Sequence, residues 1–163
     1  MSSIVLFDFN PKSNLDNWQV VNDVVMGGES FSKMLLNSDG NGVFTGTVSL
    51  NNNGGFCSVQ HALKPITVKE NSAFVLRIKG DGKKYQFRAK AKRGDYYSYI
   101  FEIQTTKDWQ IIEIPFNEMY ASFRGRKVAL PNYDGTSLEE IAVLIGNKKA
   151  ESFELLLDKI QVK

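Results

Sequence analysis

The feature that most constrains this chain is an alternation of apolar and polar residues with a period of two. It is clearest in residues 85–92, where apolar side chains alternate with Gln86, Arg88, Lys90 and Lys92. Successive side chains of a β-strand point to opposite faces of a sheet, so this period predicts half-buried strands. No segment carries the helical period over the length of a usual helix. The sequence therefore predicts an all-β protein.

About ten short strands follow from this pattern, and turns rich in glycine and asparagine separate them. The predicted strands cover residues 4–9, 18–21, 30–36, 43–50, 56–63, 74–79, 85–92, 96–104, 109–116, 141–145 and 153–162. This arrangement is typical of a two-sheet β-sandwich, and we predict a jelly roll. Residues 117–135 lack a clean period and are interpreted as a binding loop. The capping-box spacing of residues 137–140 predicts one short helical turn.

The size and charge of the chain narrow its function classes. A length of 163 residues without internal repeats suits one domain, which we expect to span residues 1–163. The 20 Lys and Arg residues against 18 Asp and Glu give a net charge of +2. That charge is too small for the broad basic field that draws proteins to nucleic acid or anionic lipid. We therefore expect no nucleic-acid partner and, without a long apolar run, no membrane insertion.

The cysteine content and the first residues bear on the compartment. Cys57 is the only cysteine, which excludes an internal disulfide and a cysteine-based zinc site. The first residues carry no basic segment of a signal peptide and reach Asp8 before any long apolar run. The sequence predicts a soluble, cytoplasmic protein.

The segment from Trp18 to Ser30 changes character twice. An apolar strand leads into Asn22-Asp23, then into Val24-Val25-Met26, and finally into Gly27-Gly28. Adjacent glycines allow backbone angles that other residues resist. We interpret the segment as a built corner, in which Val25 and Met26 fill one end of the sandwich while Asn22 and Asp23 bind neighbouring backbone groups.

The strands at residues 74–79 and 85–92 flank Gly80-Asp81-Gly82, and Asp-Gly sequences commonly close β-hairpins. We predict that these strands pair as a hairpin whose outer face carries four cations, namely Arg77, Lys79, Arg88 and Lys90. Such a face could receive an acidic peptide, a polyanion or a sugar acid, and it could equally be a solvated sheet surface.

The sequence offers little for catalysis or metal binding. His61 is the only histidine and lies within a predicted strand, so we interpret it as a packed or surface residue rather than a catalytic base. A calcium site near Asp23 or Asp81 is one alternative, but a carboxylate that accepts backbone hydrogen bonds is the favoured interpretation of Asp23. The two glycine segments at 27–28 and 80–82 are interpreted as turns rather than phosphate-binding loops.

A set of aromatic and apolar residues lies off the core-facing pattern or in loops, namely Tyr96, Ile100, Tyr120, Phe123 and Tyr133. These residues could form a surface that stacks on sugars or contacts a protein. The alternative is that they pack into the open end of the sandwich.

Several motifs follow one another along nearly the whole chain. They are Trp18-x-x-x-Asn22-Asp23-Val24-Val25-Met26-Gly27-Gly28-x-Ser30, Asn53-Gly54-Gly55-Phe56-x-Ser58, Lys79-Gly80-Asp81-Gly82-x-x-Tyr85 and Phe123-Arg124-Gly125-Arg126. As a set they resemble the complex I intermediate-associated protein family. The resemblance implies a galactose-binding-like jelly roll and kinship to mitochondrial assembly factors that bind intermediates of NADH:ubiquinone oxidoreductase. Gln60 and Lys83 depart from the arginines that relatives often carry there.

We therefore predict a non-enzymatic module that binds a protein, such as a respiratory complex I subunit or assembly intermediate, without a catalytic residue, metal or cofactor. The alternative is a carbohydrate-binding module of a bacterial protein, for which fold-level analogy is the main argument. The predicted binding residues are Trp18, Asn22, Asp23, Met26, Gly27, Gly28, Ser30, Gly54, Gly55, Phe56, Ser58, Asp81, Tyr85, Arg88, Phe123, Arg124 and Gly125.

Overall fold

Thirteen strands build the part of the chain that the structure describes. The structure is a computed structural model that describes residues 3–163, and all of their side chains except those of Val25 and Met26. The strands are β1 (Ile4–Asp8), β2 (Trp18–Val20), β3 (Phe31–Leu36), β4 (Gly42–Val48), β5 (Cys57–Ile66), β6 (Ala73–Lys79), β7 (Lys84–Lys90), β8 (Ser98–Gln104), β9 (Trp109–Pro115), β10 (Tyr120–Phe123), β11 (Arg126–Lys127), β12 (Leu138–Ile145) and β13 (Glu151–Val162). Three short 3₁₀ segments cover Asp23–Met26, Asn51–Asn53 and Phe116–Glu118.

The strands form two antiparallel sheets. The six-stranded sheet has the order β3-β4-β13-β6-β9, and β1 also pairs with β13. The seven-stranded sheet has the order β11-β10-β8-β7-β12-β5-β2. Neighbours in space are mostly distant in sequence, as in a jelly roll, so the predicted all-β, two-sheet sandwich is confirmed. Among residues 3–163 we find no helix long and apolar enough to cross a membrane.

The core lies between the two sheets because each strand turns its apolar side chains inward. Phe74 and Leu155 come from the six-stranded sheet, and Phe87 and Ile141 come from the seven-stranded sheet; all four are almost completely buried. The rings of Phe74 and Phe87 meet edge to face across the two sheets, with their centroids 4.9 Å apart. The alternation read from the sequence therefore gives the inward and outward faces of these strands correctly.

The predicted hairpin between residues 74–79 and 85–92 is wrong, because β6 and β7 belong to different sheets. Gly80-Asp81-Gly82 carries the chain from one sheet to the other. The Asp81 carboxylate accepts hydrogen bonds from the Glu154 amide of β13 at 2.9 Å and from the Tyr85 hydroxyl of β7 at 3.1 Å. Asp81 therefore fastens the two sheets together at this corner.

The predicted four-cation face is wrong for the same reason. Arg77 and Lys79 lie on the outer face of the six-stranded sheet, where Arg77 pairs with Asp158 at 3.1 Å. Arg88 and Lys90 lie on the outer face of the seven-stranded sheet. An alternating pattern shows which side chains face outward, but it does not identify the neighbouring strand.

Two further local predictions are corrected. Residues 137–140 form no helical turn, because β12 begins at Leu138 and pairs with both β5 and β7. The segment 117–135 is less irregular than expected, since it contains the short hairpin of β10 and β11. Arg124 (φ 49°) and Gly125 (φ 78°) turn this hairpin in the left-handed region, as tight two-residue turns require.

Candidate functional site

The outer face of the seven-stranded sheet holds a groove of about 590 Å³, which we call the Arg88 groove. Its floor is made of outward side chains from four neighbouring strands, namely Ser58, Gln60, Leu144, Gln86, Arg88 and Ser98. Its walls are made of loop and edge residues, namely Gly55, Phe56, Tyr96, Phe123, Arg124 and Gly125. A concave site with a few converging polar groups is the usual form of a binding site.

The strand register sets the surroundings of Arg88. Arg88 lies opposite Ile100 of β8 on one side and opposite Ala142 of β12 on the other. Both neighbours are buried and apolar, so the guanidinium stands between side chains that cannot hydrate it. Burial lowers the pKa of the Arg88 guanidinium, yet arginine remains charged in proteins. The floor of the groove therefore carries a permanent, partly desolvated positive charge.

The hydrogen bonds of Arg88 leave most of its capacity unused. Its Nε donates to Gln86 Oε1 at 3.0 Å, and one terminal nitrogen donates to the same oxygen at 2.7 Å. A guanidinium has five N–H donors, so three find no acceptor among the described residues. No described carboxylate lies within ion-pair distance of it. A ligand could supply the missing acceptors.

The walls of the groove combine aromatic rings and further cations. Tyr96 and Phe123 are 60% and 40% exposed, and their rings meet edge to face with centroids 5.3 Å apart. The Arg124 guanidinium lies 5.1 Å from the Phe123 ring centre, and Lys90 Nζ donates to the Asp95 carbonyl at 2.9 Å. Among the described residues that line the groove there are three cations and no carboxylate. The groove is therefore positively charged and partly apolar.

A second cluster, the Asp23 corner, consists of Asp23, Gly28, Ser30, Gly54 and Gly55. The Asp23 carboxylate is fully buried and accepts hydrogen bonds from the Ser30 amide at 2.9 Å, from the Ser30 hydroxyl and from the Gly55 amide at 2.6 Å. The Phe56 amide adds a longer bond of 3.3 Å. Burial alone would raise the pKa of the Asp23 carboxyl, but these hydrogen bonds outweigh it and lower the pKa.

The glycines of this corner are explained by the space that Asp23 occupies. A Cβ atom on Gly28 would lie 2.4 Å from Asp23 Cγ, and one on Gly54 would lie 2.5 Å from Asp23 Oδ2. Side chains at either position would therefore displace the carboxylate. The interpretation of Asp23 as an acceptor of backbone hydrogen bonds is confirmed, whereas the expected packing of Val25 and Met26 concerns side chains outside the described residues.

The structure divides the predicted binding residues into three groups. Seven lie on the Arg88 groove, namely Gly55, Phe56, Ser58, Arg88, Phe123, Arg124 and Gly125. Others belong to the Asp23 corner and its flanks, namely Asn22, Asp23, Gly27, Gly28, Ser30 and Gly54. Trp18 packs in the core, and Tyr85 is buried and donates its hydroxyl to the Asp81 carboxylate. The Met26 side chain lies outside the described residues. As ligand contacts, the seven groove residues remain predictions.

Several residues that line the groove were not among the predicted binding residues. Gln60, Gln86, Ser98 and Leu144 all face outward from strands whose inner faces are apolar. Their outward parity was readable in the sequence. The signal was incomplete because only the sheet order brings these strands side by side.

The remaining candidates for chemistry are structural. His61 is buried, and its ring stacks on Trp18 with centroids 4.6 Å apart; burial lowers its pKa, so the packed-histidine interpretation is confirmed. Of the two alternatives for Tyr133, the structure supports packing and not a surface position, because Tyr133 is buried and its hydroxyl donates to the Ser137 carbonyl at 2.8 Å. Within residues 3–163 no group of three or more His, Cys, Asp or Glu side chains is placed to hold a metal ion.

A second depression lies beside the turns at Gly82 and Asn147, and it carries Lys83, Lys84, Lys148 and Lys149. Lys83 pairs with Asp81 at 3.5 Å, and Lys149 pairs with Glu151 at 3.8 Å. Two of its four lysines are therefore engaged in ion pairs, whereas no cation that lines the Arg88 groove pairs with a described carboxylate.

Comparison with known families assigns the chain. The family described as Complex I intermediate-associated protein 30 matches residues 7–157. The chain belongs to this family. An uncharacterized protein of Schizosaccharomyces pombe is 30% identical over 97% of this chain and 83% of its own length. The protein named Complex I intermediate-associated protein 30, mitochondrial, is 26% identical in Drosophila melanogaster and 25% identical in Mus musculus, over 75% of this chain in each case.

The names of these relatives correct one prediction. Two of them are named as mitochondrial proteins, which contradicts the cytoplasmic location expected from the sequence and points to mitochondria. The chain covers 49% of the Drosophila protein and 44% of the mouse protein, so it spans about half the length of these two relatives.

Solved structures with the same fold include carbohydrate-binding modules. The family 11 module of a cellulosomal cellulase of Clostridium thermocellum has a TM-score of 0.74, with 18% identity, over 99% of this chain and 94% of that one. A variant of a family 29 module has a TM-score of 0.59 with 8% identity, over 100% and 92% of the two chains. At these identities the likeness shows the fold, which agrees with the predicted jelly roll.

Proposed function

We propose that this chain is a non-catalytic module that binds a protein partner in the Arg88 groove during the assembly of respiratory complex I. The family supports the assembly role, since two relatives are named for their association with a complex I intermediate. The main observation in favour of the groove as the binding site is that the charge of Arg88 is partly buried and most of its donors have no acceptor among the described residues. The matched segment, residues 7–157, also supports a single domain.

The composition of the groove supports binding rather than catalysis. Its described lining offers amides, hydroxyls, aromatic rings and cations. A general base or an activated nucleophile requires a titratable group held against a second one, and none of the described lining residues forms such a pair. We therefore assign recognition to this face.

Site-specific photocrosslinking tests this proposal. A photoreactive phenylalanine analogue at Tyr96 would sit in the groove wall, whereas the same analogue at Ile111 would sit on the other sheet, where the side chain is 74% exposed. After incubation with solubilised mitochondria that contain complex I, the Tyr96 probe should crosslink to complex I subunits or assembly factors. Identical crosslinks from both positions, or none to such proteins, would contradict the proposal.

Carbohydrate binding is the second candidate, because the fold matches a family 11 module solved with a β-1,3-1,4-mixed-linked tetrasaccharide. The exposed rings of Tyr96 and Phe123 favour it. They meet edge to face, however, and so do not form one flat platform for a sugar ring. Calorimetric titration with that tetrasaccharide decides: heat of binding that disappears in Tyr96→Ala supports it, and its absence in the wild type removes it.

A further inference from the structure

The free edge of the Arg88 guanidinium defines which ligand group the groove can hold. Gln86 Oε1 accepts from Nε and from one terminal nitrogen, so it occupies the side edge of the planar fork. The end edge, between the two terminal nitrogens, has no acceptor among the described residues. A carboxylate matches such an edge with two parallel hydrogen bonds.

The groove has one cation on its floor and two further cations beside it. Lys90 is engaged by the Asp95 carbonyl, and Arg124 lies on the ring of Phe123. Arg88 is therefore the cation that stands on the floor, while the others raise the potential from the rim. Because Ile100 and Ala142 flank Arg88 and are buried, an ion pair formed there is screened less than one at an open surface.

The apolar parts of the groove favour a peptide over a sugar acid or a phosphate. Phe56, Leu144 and the ring pair of Tyr96 and Phe123 would contact apolar side chains on either side of the acidic one. Polar floor groups such as Gln60 and Ser98 could accept or donate to the peptide backbone. Mixed apolar and charge-assisted contact is typical of protein recognition.

We propose that the Arg88 groove recognises an acidic segment of a protein partner, and that one Asp or Glu carboxylate of that segment binds the end edge of the Arg88 guanidinium. This inference rests on the proposed function and specifies its chemistry. Gln86 is then a positioning residue, because it fixes the plane of the guanidinium without touching the partner's carboxylate.

Two peptide libraries test the inference. Both contain nine-residue peptides with blocked termini and random flanking positions, and they differ only at the central position, which is Glu in one and Gln in the other. The wild-type chain should retain the Glu library at least about tenfold better, since a charge-assisted bidentate contact is worth more than a neutral one. Equal retention of the two libraries would overturn the inference.

Variants assign the preference to Arg88. Arg88→Gln should abolish the preference for Glu, and Arg88→Lys should reduce it because lysine keeps the charge but loses the fork. Arg77→Gln is the matched control, since Arg77 lies on the other sheet and pairs with Asp158; it should keep the full preference. If Arg88→Gln does not fold by circular dichroism, Arg88→Lys decides. A preference of undiminished size in every Arg88 variant that folds would overturn the assignment.

Two competitors separate the alternatives. Oligogalacturonate or inorganic phosphate that displaces the Glu peptides at lower concentration than a soluble Glu peptide would overturn the inference in favour of a sugar acid or a phosphate group. Crosslinking of complex I proteins at Tyr96 without a Glu preference would leave the proposed function standing and defeat only the acidic segment. A Glu preference without such crosslinks would support the inference and defeat the assembly role.

Discussion

The Asp23 corner and the Arg88 groove each withdraw a charged side chain from water, and they treat the charge in opposite ways. Asp23 is surrounded by donors from Ser30, Gly55 and Phe56, so its carboxylate is satisfied within the chain. Among the described residues Arg88 has one acceptor, Gln86, which leaves three of its donors unused. A buried charge whose hydrogen bonds are satisfied within the chain is typical of an architectural residue, whereas an unsatisfied charge at an open groove is typical of a ligand contact.

The two regions also touch. The backbone amides of Gly55 and Phe56 donate hydrogen bonds to the Asp23 carboxylate, and the same two residues line the Arg88 groove. The corner therefore holds one wall of the groove in place, and damage to it should reach the groove indirectly.

Removal of the carboxylate should break the corner. Asp23→Ala leaves the donors of Ser30, Gly55 and Phe56 without their acceptor, so we expect the free energy of unfolding to fall by about 3 kcal/mol or more. Urea unfolding at neutral pH measures this loss. A loss below about 1 kcal/mol would show that the corner is not an architectural element.

A methyl group at Gly28 should disturb the same contacts. Its Cβ would lie 2.4 Å from Asp23 Cγ, so Gly28→Ala should cost about 1–3 kcal/mol through overpacking. Gly94→Ala is the control, because no atom of the described residues lies within 4 Å of a Cβ there, and its change should stay within about 0.5 kcal/mol. Equal effects of the two substitutions would contradict the packing argument.

The lowered pKa of Asp23 predicts an acid-sensitive contribution to stability. A carboxyl whose pKa is lower in the folded state stabilises the fold above its unfolded pKa of about 3.9, and this stabilisation is lost as the pH falls through the folded value. Urea midpoints between neutral pH and acid should therefore fall more steeply for the wild type than for Asp23→Asn. Parallel pH profiles would mean that Asp23 is not the residue responsible.

Substitution of Arg88, unlike substitution of Asp23, should affect binding more than stability. Arg88→Gln removes a partly buried charge that the fold does not satisfy, so stability should change by less than about 1 kcal/mol, in either direction. Crosslinking from Tyr96 to the partner should nevertheless be lost. A large loss of stability with unchanged crosslinking would show that Arg88, like Asp23, stabilises the fold and does not bind the partner.

The smallest effect is expected at the rim. Phe123→Ser removes a ring that is 40% exposed, so the free energy of unfolding should change by no more than about 0.5 kcal/mol. Binding in the groove should weaken, because the Tyr96 ring loses its neighbour and Arg124 loses the ring on which it lies. Differential scanning calorimetry and the peptide assay measure the two quantities on the same sample.

The sequence predicted which face of a strand is buried better than it predicted which strands pair with each other. Tyr85 and Phe87 are buried and Arg88 faces outward, as the alternation required, because the period of two is a property of one strand. The pairing of β6 with β13 and not with β7 depends on residues about 80 positions away, as the Arg77 to Asp158 contact illustrates.

The same limit applies to the two sites. The sequence indicated that Asp23 binds backbone groups, but one of its donors, the Gly55 amide, lies 32 residues further along and was not identified. Arg88, Phe56 and Phe123 were predicted as binding residues, but the sequence did not predict that they line one groove. The remaining groove residues could be identified only from the sheet order. Gln86, for example, matters because it accepts hydrogen bonds from one edge of the Arg88 guanidinium and leaves the end edge without a described acceptor.

The central place of β13 bears on how the polypeptide acquires its shape. This strand pairs with β4 and β1 along one side and with β6 along the other, so three earlier strands depend on it. During synthesis those strands leave the ribosome first and must wait with unpaired edges, which are prone to aggregation, until residues 151–162 follow. β3 can pair with β4, and β6 with β9, before β13 is made, but β13 joins these two pairs into one sheet. A chain cut short before β13 would therefore be expected to depend on chaperones or be degraded.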